Sequence, residues 1–324
     1  MKPVVYLALA MLLPLSVEQR HIADVVTAAL IVILFDGGRA MGLGRFRAQA
    51  VPILGLGLVG TFATAGVTMV AVHLLLGVSW YLSLLLATAL APTDPAVVFS
   101  VLGEIRGRSS TVLEGESGAN DPVGIALLTA LLDAGSLSGH ALGVAAVDFG
   151  LQLAIGTVIG VAGGWLMRRL PLDLVLALAL YWLAHAAHGS GFLAVFVAGL
   201  VAGDDVAHIL GGTLGEAVAF MGLGLLVAPS DLVRLDVWLP GLALAALIGF
   251  VVRPLVCWPF TLGLRRPERT FVLLAGLKGA VPLLLGSMLL DQQHGHRLFA
   301  VTVVVVVFSI VVQGALVPGL ARRT

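Results

Sequence analysis

The sequence predicts an all-α polytopic membrane protein of about twelve transmembrane helices. Composition is the first observation: 324 residues, 59% hydrophobic and 11% charged, with a mean hydropathy of +1.08, where a soluble domain carries about 25% charged residues. The apolar residues fall in long, continuous Leu-, Ala- and Gly-rich runs rather than alternating ones, which argues against strands. The 40 glycines suit helices that approach closely inside a bilayer. A formal net charge of zero gives no footing for nucleic acid, and the single cysteine, Cys257, leaves no disulfide framework or thiolate metal cluster.

The apolar segments run at roughly 3–16, 22–37, 49–76, 80–102, 112–133, 143–168, 171–187, 191–203, 209–228, 237–261, 270–290 and 298–320. The first follows Lys2, but Ser16-Val17-Glu18-Gln19-Arg20 offers no small-residue cleavage site. It therefore reads as a retained helix rather than a signal peptide, and it is short for a full span. The second closes on Leu34-Phe35-Asp36-Gly37-Gly38, where an acid before paired glycines predicts a helix end. The third is a plain apolar run. The fourth is broken by Pro92-Thr93-Asp94-Pro95, because proline removes a backbone donor and clashes with the preceding turn. Glu114-Gly115-Glu116-Ser117-Gly118-Ala119-Asn120-Asp121-Pro122 runs into apolar sequence in the fifth.

Gly156, Gly160 and Gly164 in the sixth make a small-xxx-small packing face. The seventh ends near His185 and His188, before a Gly-Ser-Gly loop. Asp204, Asp205, Asp231 and Asp236 read as loop acids around the ninth and tenth. In the eleventh, Gly276-Leu277-Lys278-Gly279-Ala280-Val281-Pro282 predicts a second interruption. The twelfth is uninterrupted. Connections are short, so residues 1–324 form one transmembrane domain with no separable soluble domain.

Orientation follows from the basic residues. With the N-terminus cytoplasmic, thirteen of the 18 Lys and Arg fall inside and only Arg20, Arg234 and Arg297 outside; Arg253 and Lys278 lie within spans. One missed helix would scramble this bias, so it supports the span count too.

A charge at membrane depth costs about 3 kcal/mol on insertion scales and marks a functional site by default. Asp94 and Asp121 are two such acids, flanked by Thr93, Ser117 and Asn120. Ser117 and Asp121 are four residues apart and share a helix face. Together these groups predict an oxygen-rich site for a small cation and a proton. Glu116 is rotated away from that face and is the expected partner of Lys278, the only lysine besides Lys2. Plainer readings stand beside these: Asp94 as the cap of a proline kink, Lys278 snorkelling to an interface, Asp36 as an ordinary helix end.

These stretches, with Gly189-Ser190-Gly191-Phe192-Leu193-Ala194-Val195, Gly222-Leu223-Gly224-Leu225-Leu226-Val227-Ala228-Pro229-Ser230 and Arg253-Pro254-Leu255, occur in the order found in the monovalent cation/proton antiporters. The chain resembles the bacterial NhaP/CvrA-type branch, described as potassium/proton or sodium/proton antiporters. The resemblance covers about residues 25–318.

It implies an inverted-repeat antiporter fold with two crossed, interrupted helices, segments four and eleven. The repeats would span about 1–133 and 171–320, around a linker helix at about 143–168. The first family helix would be missing, as would the cytosolic tail of many relatives. Asp121 would bind K+ or Na+ or else a proton, with Asp94 assisting, Thr93 and Ser117 giving oxygens, and Asp36 as a third acid near the ion. Asn120 stands where electrogenic relatives place a second Asp, which implies electroneutral exchange. Lys278 replaces an arginine usual in this branch, and only arginine is bound to stay charged on burial, which loosens that count. The resemblance further implies a homodimer in the bacterial inner membrane, with both termini cytoplasmic and no cofactor.

A buried carboxylate that holds either a proton or a metal ion, moved between two faces, yields exchange rather than enzymatic turnover. Two other classes use similar residues. A cation channel or non-transporting sensor would lack saturable, proton-coupled flux. An intramembrane aspartyl protease would need Gly-x-Gly-Asp, and leucine follows Gly222-x-Gly224.

Overall fold

The computed structural model describes residues 2–13, 18–94, 107–170, 172–203 and 211–321. The second half of the fourth segment, together with Arg106, Asp204, Asp205, Arg322 and Arg323, lies outside the described residues.

The described chain is helical, with no strand: α1 (Lys2–Met11), α2 (Gln19–Ala48), α3 (Ala50–Leu76), α4 (Trp80–Ala89), α5 (Arg108–Ala134), α6 (Gly139–Met167), α7 (Asp173–Ala186), α8 (Gly191–Ala202), α9 (Gly211–Leu225), α10 (Leu235–Thr261), α11 (Arg266–Leu274), α12 (Ala280–Ser287) and α13 (Gly295–Leu320). A helix occurs in each predicted apolar segment. Five of them, α2, α3, α6, α10 and α13, are long and apolar enough to cross a membrane.

Local signals set several boundaries. Ser79, Ser138 and Ser190 each accept the backbone N–H three residues on, which opens α4, α6 and α8. Gly77 and Gly135, at φ +66° and +67°, close α3 and α5 with left-handed caps.

One boundary differs from expectation. α2 does not end at Asp36 but continues to Ala48, bending at Gly42. Gly38 serves packing instead of a turn, while Gly37 is exposed with open space beside it. A Cβ on Gly38 would strike the Phe196 carbonyl of α8, and one on Gly199 would strike the Phe35 carbonyl of α2. Asp36 is therefore a mid-helix, half-buried residue.

α5 is the centre of the molecule, packed by α2, α3, α4, α6, α8 and α11. Its polar run from Ser109 to Asp121 is buried except at Thr111 and Glu114, so the charged residues face protein. α2 packs on α8 and α9, α1 on α9, and α10 on α13. Within its most apolar stretch α13 is 67% buried, whereas α6 is only 17% buried and turns most of its surface outward. α6 meets α8 through Gly156, Gly160 and Gly164, where a Cβ would sit 2.5–2.6 Å from the carbonyls of Ser190, Ala194 and Ala198.

Three helices carry wide π turns: α3 at Gly55–Gly60, α10 at Ile248–Val252 and α13 at Ser309–Gln313. Gly57 abuts α5 at Ala119, and Gly249 abuts Gln313. Helical structure lapses after α4, at Ala91–Asp94, and between α11 and α12, at Ala275–Gly279. The two lapses touch, for the Asp94 N–H donates to the Leu277 carbonyl at 2.7 Å.

Candidate ion-binding site

The site forms where these lapses meet the polar face of α5. Asp121 is buried, and Ser117 Oγ, one turn earlier, donates to its Oδ2 at 3.2 Å. Its other oxygen, Oδ1, is buried and accepts no hydrogen bond among the described residues. Asp94 lies within electrostatic reach, as do Lys278 and Glu116. The Asp94 carboxylate occupies the space where a side chain would stand on Gly279. Only glycine there lets the two lapses close on each other.

Asn120 and Thr93 are bonded to one another. Asn120 Nδ2 donates to Thr93 Oγ1 at 2.9 Å, and its Oδ1 accepts the Thr93 N–H at 3.4 Å. Thr93 Oγ1 also faces Glu116 Oε1 at 3.5 Å. The Asn120 amide thus braces the lapse after α4 against α5 and satisfies backbone that no helix satisfies. The Thr93 hydroxyl is engaged in the same brace.

The expected ion pair between Glu116 and Lys278 is not formed. Glu116 is held by Arg253 of α10, whose Nη1 and Nη2 reach the two carboxylate oxygens at 2.7 and 3.0 Å. Arg253 Nη2 also donates to the Val272 carbonyl at 3.1 Å, and the guanidinium fills the space left by Gly276. The reason is geometric: a planar fork matches a carboxylate with two parallel bonds, which a single ammonium cannot. Lys278 Nζ instead donates to the carbonyls of Ala91 and Pro92 at 3.0 and 2.9 Å. It donates into the lapse just past the C-terminal end of α4, satisfying carbonyls that no helix satisfies. The Lys278 N–H donates to Ser309 Oγ, which donates to Gln313 Oε1 at 2.6 Å.

The structure thus gathers Thr93, Asp94, Glu116, Ser117, Asn120, Asp121 and Lys278 in one region. Asp36 lies on α2, half-buried. Sequence reasoning alone misses Arg253 as the partner of Glu116. The available signal is an arginine inside an apolar run, which needs an acid, together with a Glu116 turned away from Asp121.

Two carboxylates and a hydroxyl, with one buried oxygen lacking a donor, suit a small oxygen-seeking cation or a proton. Facing helix lapses that carry Asp94 and Lys278 against a buried Asp121 fit a helical membrane protein of the transporter class. The model of the transmembrane sodium/hydrogen exchanger family matches residues 2–323, and the chain belongs to that family.

The chain is 33% identical over 326 residues to "K(+)/H(+) antiporter NhaP2" of Shewanella oneidensis, covering 91% of this chain and 56% of the relative. It is 34% identical over 329 residues to "K(+)/H(+) antiporter NhaP" of Alkalimonas amylolytica, at the same coverage. To "Na(+)/H(+) antiporter NhaH" of Halobacillus dabanensis it is 26% identical, covering 93% of this chain and 83% of that one. The chain therefore spans about half the length of the first two relatives. Its fold is similar to that of the sodium proton antiporter MjNhaP1 from Methanocaldococcus jannaschii, with a TM-score of 0.79 at 20% identity over 96% of this chain and 92% of the other.

Proposed function

We propose that this chain is a secondary active transporter that exchanges a monovalent cation, K+ or Na+, for H+ across the bacterial inner membrane. One observation carries the reading: Asp121 keeps a buried carboxylate oxygen with no hydrogen-bond donor among the described residues, beside a second acid. Such an oxygen needs a proton, a cation or an ordered water on it, and beside a second acid a positive ligand also relieves the charge repulsion. Proton and cation exclude each other, so a carboxylate exposed first to one face and then to the other exchanges them. Asp94 assists from the lapse after α4, and Ser117 adds its hydroxyl. Thr93 adds oxygen from the same lapse, since its hydroxyl accepts one bond from Asn120 and keeps a second lone pair.

In this reading the chain crosses the membrane about twelve times, with both termini cytoplasmic. Segments four and eleven cross at their lapses, each interrupted near mid-membrane. The repeats span about 1–133 and 171–320, with α6 as the linker between them. Exchange is one for one, because Asn120 gives no second charge, and the working unit is a homodimer. The names of the relatives point to K+ and to Na+, and oxygen ligands suit both.

The test is dissipation of a pH gradient in everted membrane vesicles on addition of KCl, NaCl or LiCl. Saturable dissipation that disappears in Asp121→Asn supports the reading. Cation flux with channel conductance and no proton movement overturns it.

A further inference from the structure

We propose that Glu216, on α9, is a further binding station for a monovalent positive charge, proton or alkali cation, working in sequence with Asp94 and Asp121. The inference rests on the exchange reading above but concerns a residue to which that reading gives no role.

Glu216 is partly buried in α9, and its Oε1 is buried with no hydrogen-bond partner among the described residues. Other acids of this fold are held by arginine: Glu116 by Arg253, Glu114 by Arg45 and Asp173 by Arg39. Those pairs are what a structural acid in a helical bundle looks like. Glu216 has no such partner among the described residues, so its bare oxygen is open to a proton, a cation or a water.

Its surroundings point to the ion site. Glu216 is within electrostatic reach of Asp94 and of Lys2. α9 packs against α1, α2 and α12. α1 brings Lys2 and Tyr6 as its titratable groups, and α12 has none. α2 meets α9 through Ala29 and Ile33 at Gly215, and its titratable residue one turn beyond Ile33 is Asp36. α12 follows directly on the lapse that seats the Asp94 carboxylate at Gly279. A charge leaving Asp94 therefore finds a second acid on the neighbouring helix. In the inverted-repeat reading, with the first family helix missing, α2 and α9 are equivalent helices of the two halves, and each carries an acid, Asp36 and Glu216.

The experiment compares wild type with Glu216→Gln and Glu216→Asp. Exchange in everted vesicles is measured against pH and against KCl and NaCl, and cation binding to the purified protein by calorimetry. Glu216 is negative only while it holds neither proton nor cation, and losing that unloaded state makes Asp94 and Asp121 hold a proton or cation less tightly. Glu216→Gln is expected to raise the half-saturating cation concentration about threefold or more and to move the pH of half-maximal exchange about half a unit toward acid, with Glu216→Asp between it and wild type. A shift confined to the pH profile assigns the proton, and a shift in cation affinity assigns the alkali ion. A folded Glu216→Gln with wild-type pH profile and affinity overturns the proposal; if that variant does not fold, a wild-type profile in Glu216→Asp does so. If wild type itself exchanges no cation, the exchange reading falls, and unchanged calorimetric binding in the variants then separately disposes of the Glu216 station.

Discussion

At the scale of the residue, the charges of the site divide into those that are satisfied and those that are not. Arg253 and Glu116 neutralise each other through both Nη atoms, although Arg253 Nε has no partner among the described residues, so removing one strands the other. Arg253→Ala is expected to cost about 3–5 kcal/mol of stability. Lys278→Ala leaves two carbonyls without their donor, at about 1–3 kcal/mol each, but strands no hydrogen-bonded charge and is expected to cost less than Arg253→Ala. Thermal unfolding in mild detergent gives the order, and a Lys278 variant less stable than the Arg253 variant would contradict this division. Asp121→Asn should leave unfolding unchanged and abolish cation-dependent pH recovery in vesicles, because an amide cannot alternate between proton and cation. Asp94 and Asp121 were legible in the sequence, since any acid in an apolar run is costly. The Arg253–Glu116 pair was not, because its members are 137 positions apart and no local spacing joins them.

At the scale of the element, glycines decide where helices meet. The small-residue face of α6 was legible as a four-residue period, and the contact carbonyls of α8 give it its reason. Gly160→Val should force α6 from α8, because its branches would meet the Ala194 carbonyl, at a cost of about 1–3 kcal/mol. A fall in melting temperature checks this, and no change would mean the two helices part freely. Gly279→Ala should be more damaging to exchange than to folding, because it displaces the Asp94 carboxylate itself. The Gly37-Gly38 pair misled in the other direction. Paired glycines have the same sequence signature whether they end a helix or let a neighbour close, and only the facing Gly199 distinguishes the two.

For the whole molecule, the helical class was legible because hydropathy integrates over hundreds of residues and tolerates local error. Boundaries were less so, since α2 runs past its apolar stretch into Arg39, Arg45 and Arg47. The predicted orientation has a direct check. Ser136 lies in the exposed turn between α5 and α6, on the outer side if the N-terminus is cytoplasmic. In a background where the buried Cys257 is replaced, Ser136→Cys should react with an impermeant thiol reagent from outside intact cells. Labelling only in everted vesicles would reverse the topology.

The wide turns in α3, α10 and α13 have a consequence for how such a chain can change over generations. Each holds one residue more than a regular turn would, and deleting it rotates the remainder of the helix by about 100° around its axis. In α10 the residue directly after the wide turn is Arg253, so a single lost codon between Ile248 and Val252 would swing the guanidinium off Glu116 while leaving every amino acid of the site encoded. The length of these segments is therefore under as strict a constraint as the identity of the residues that bind.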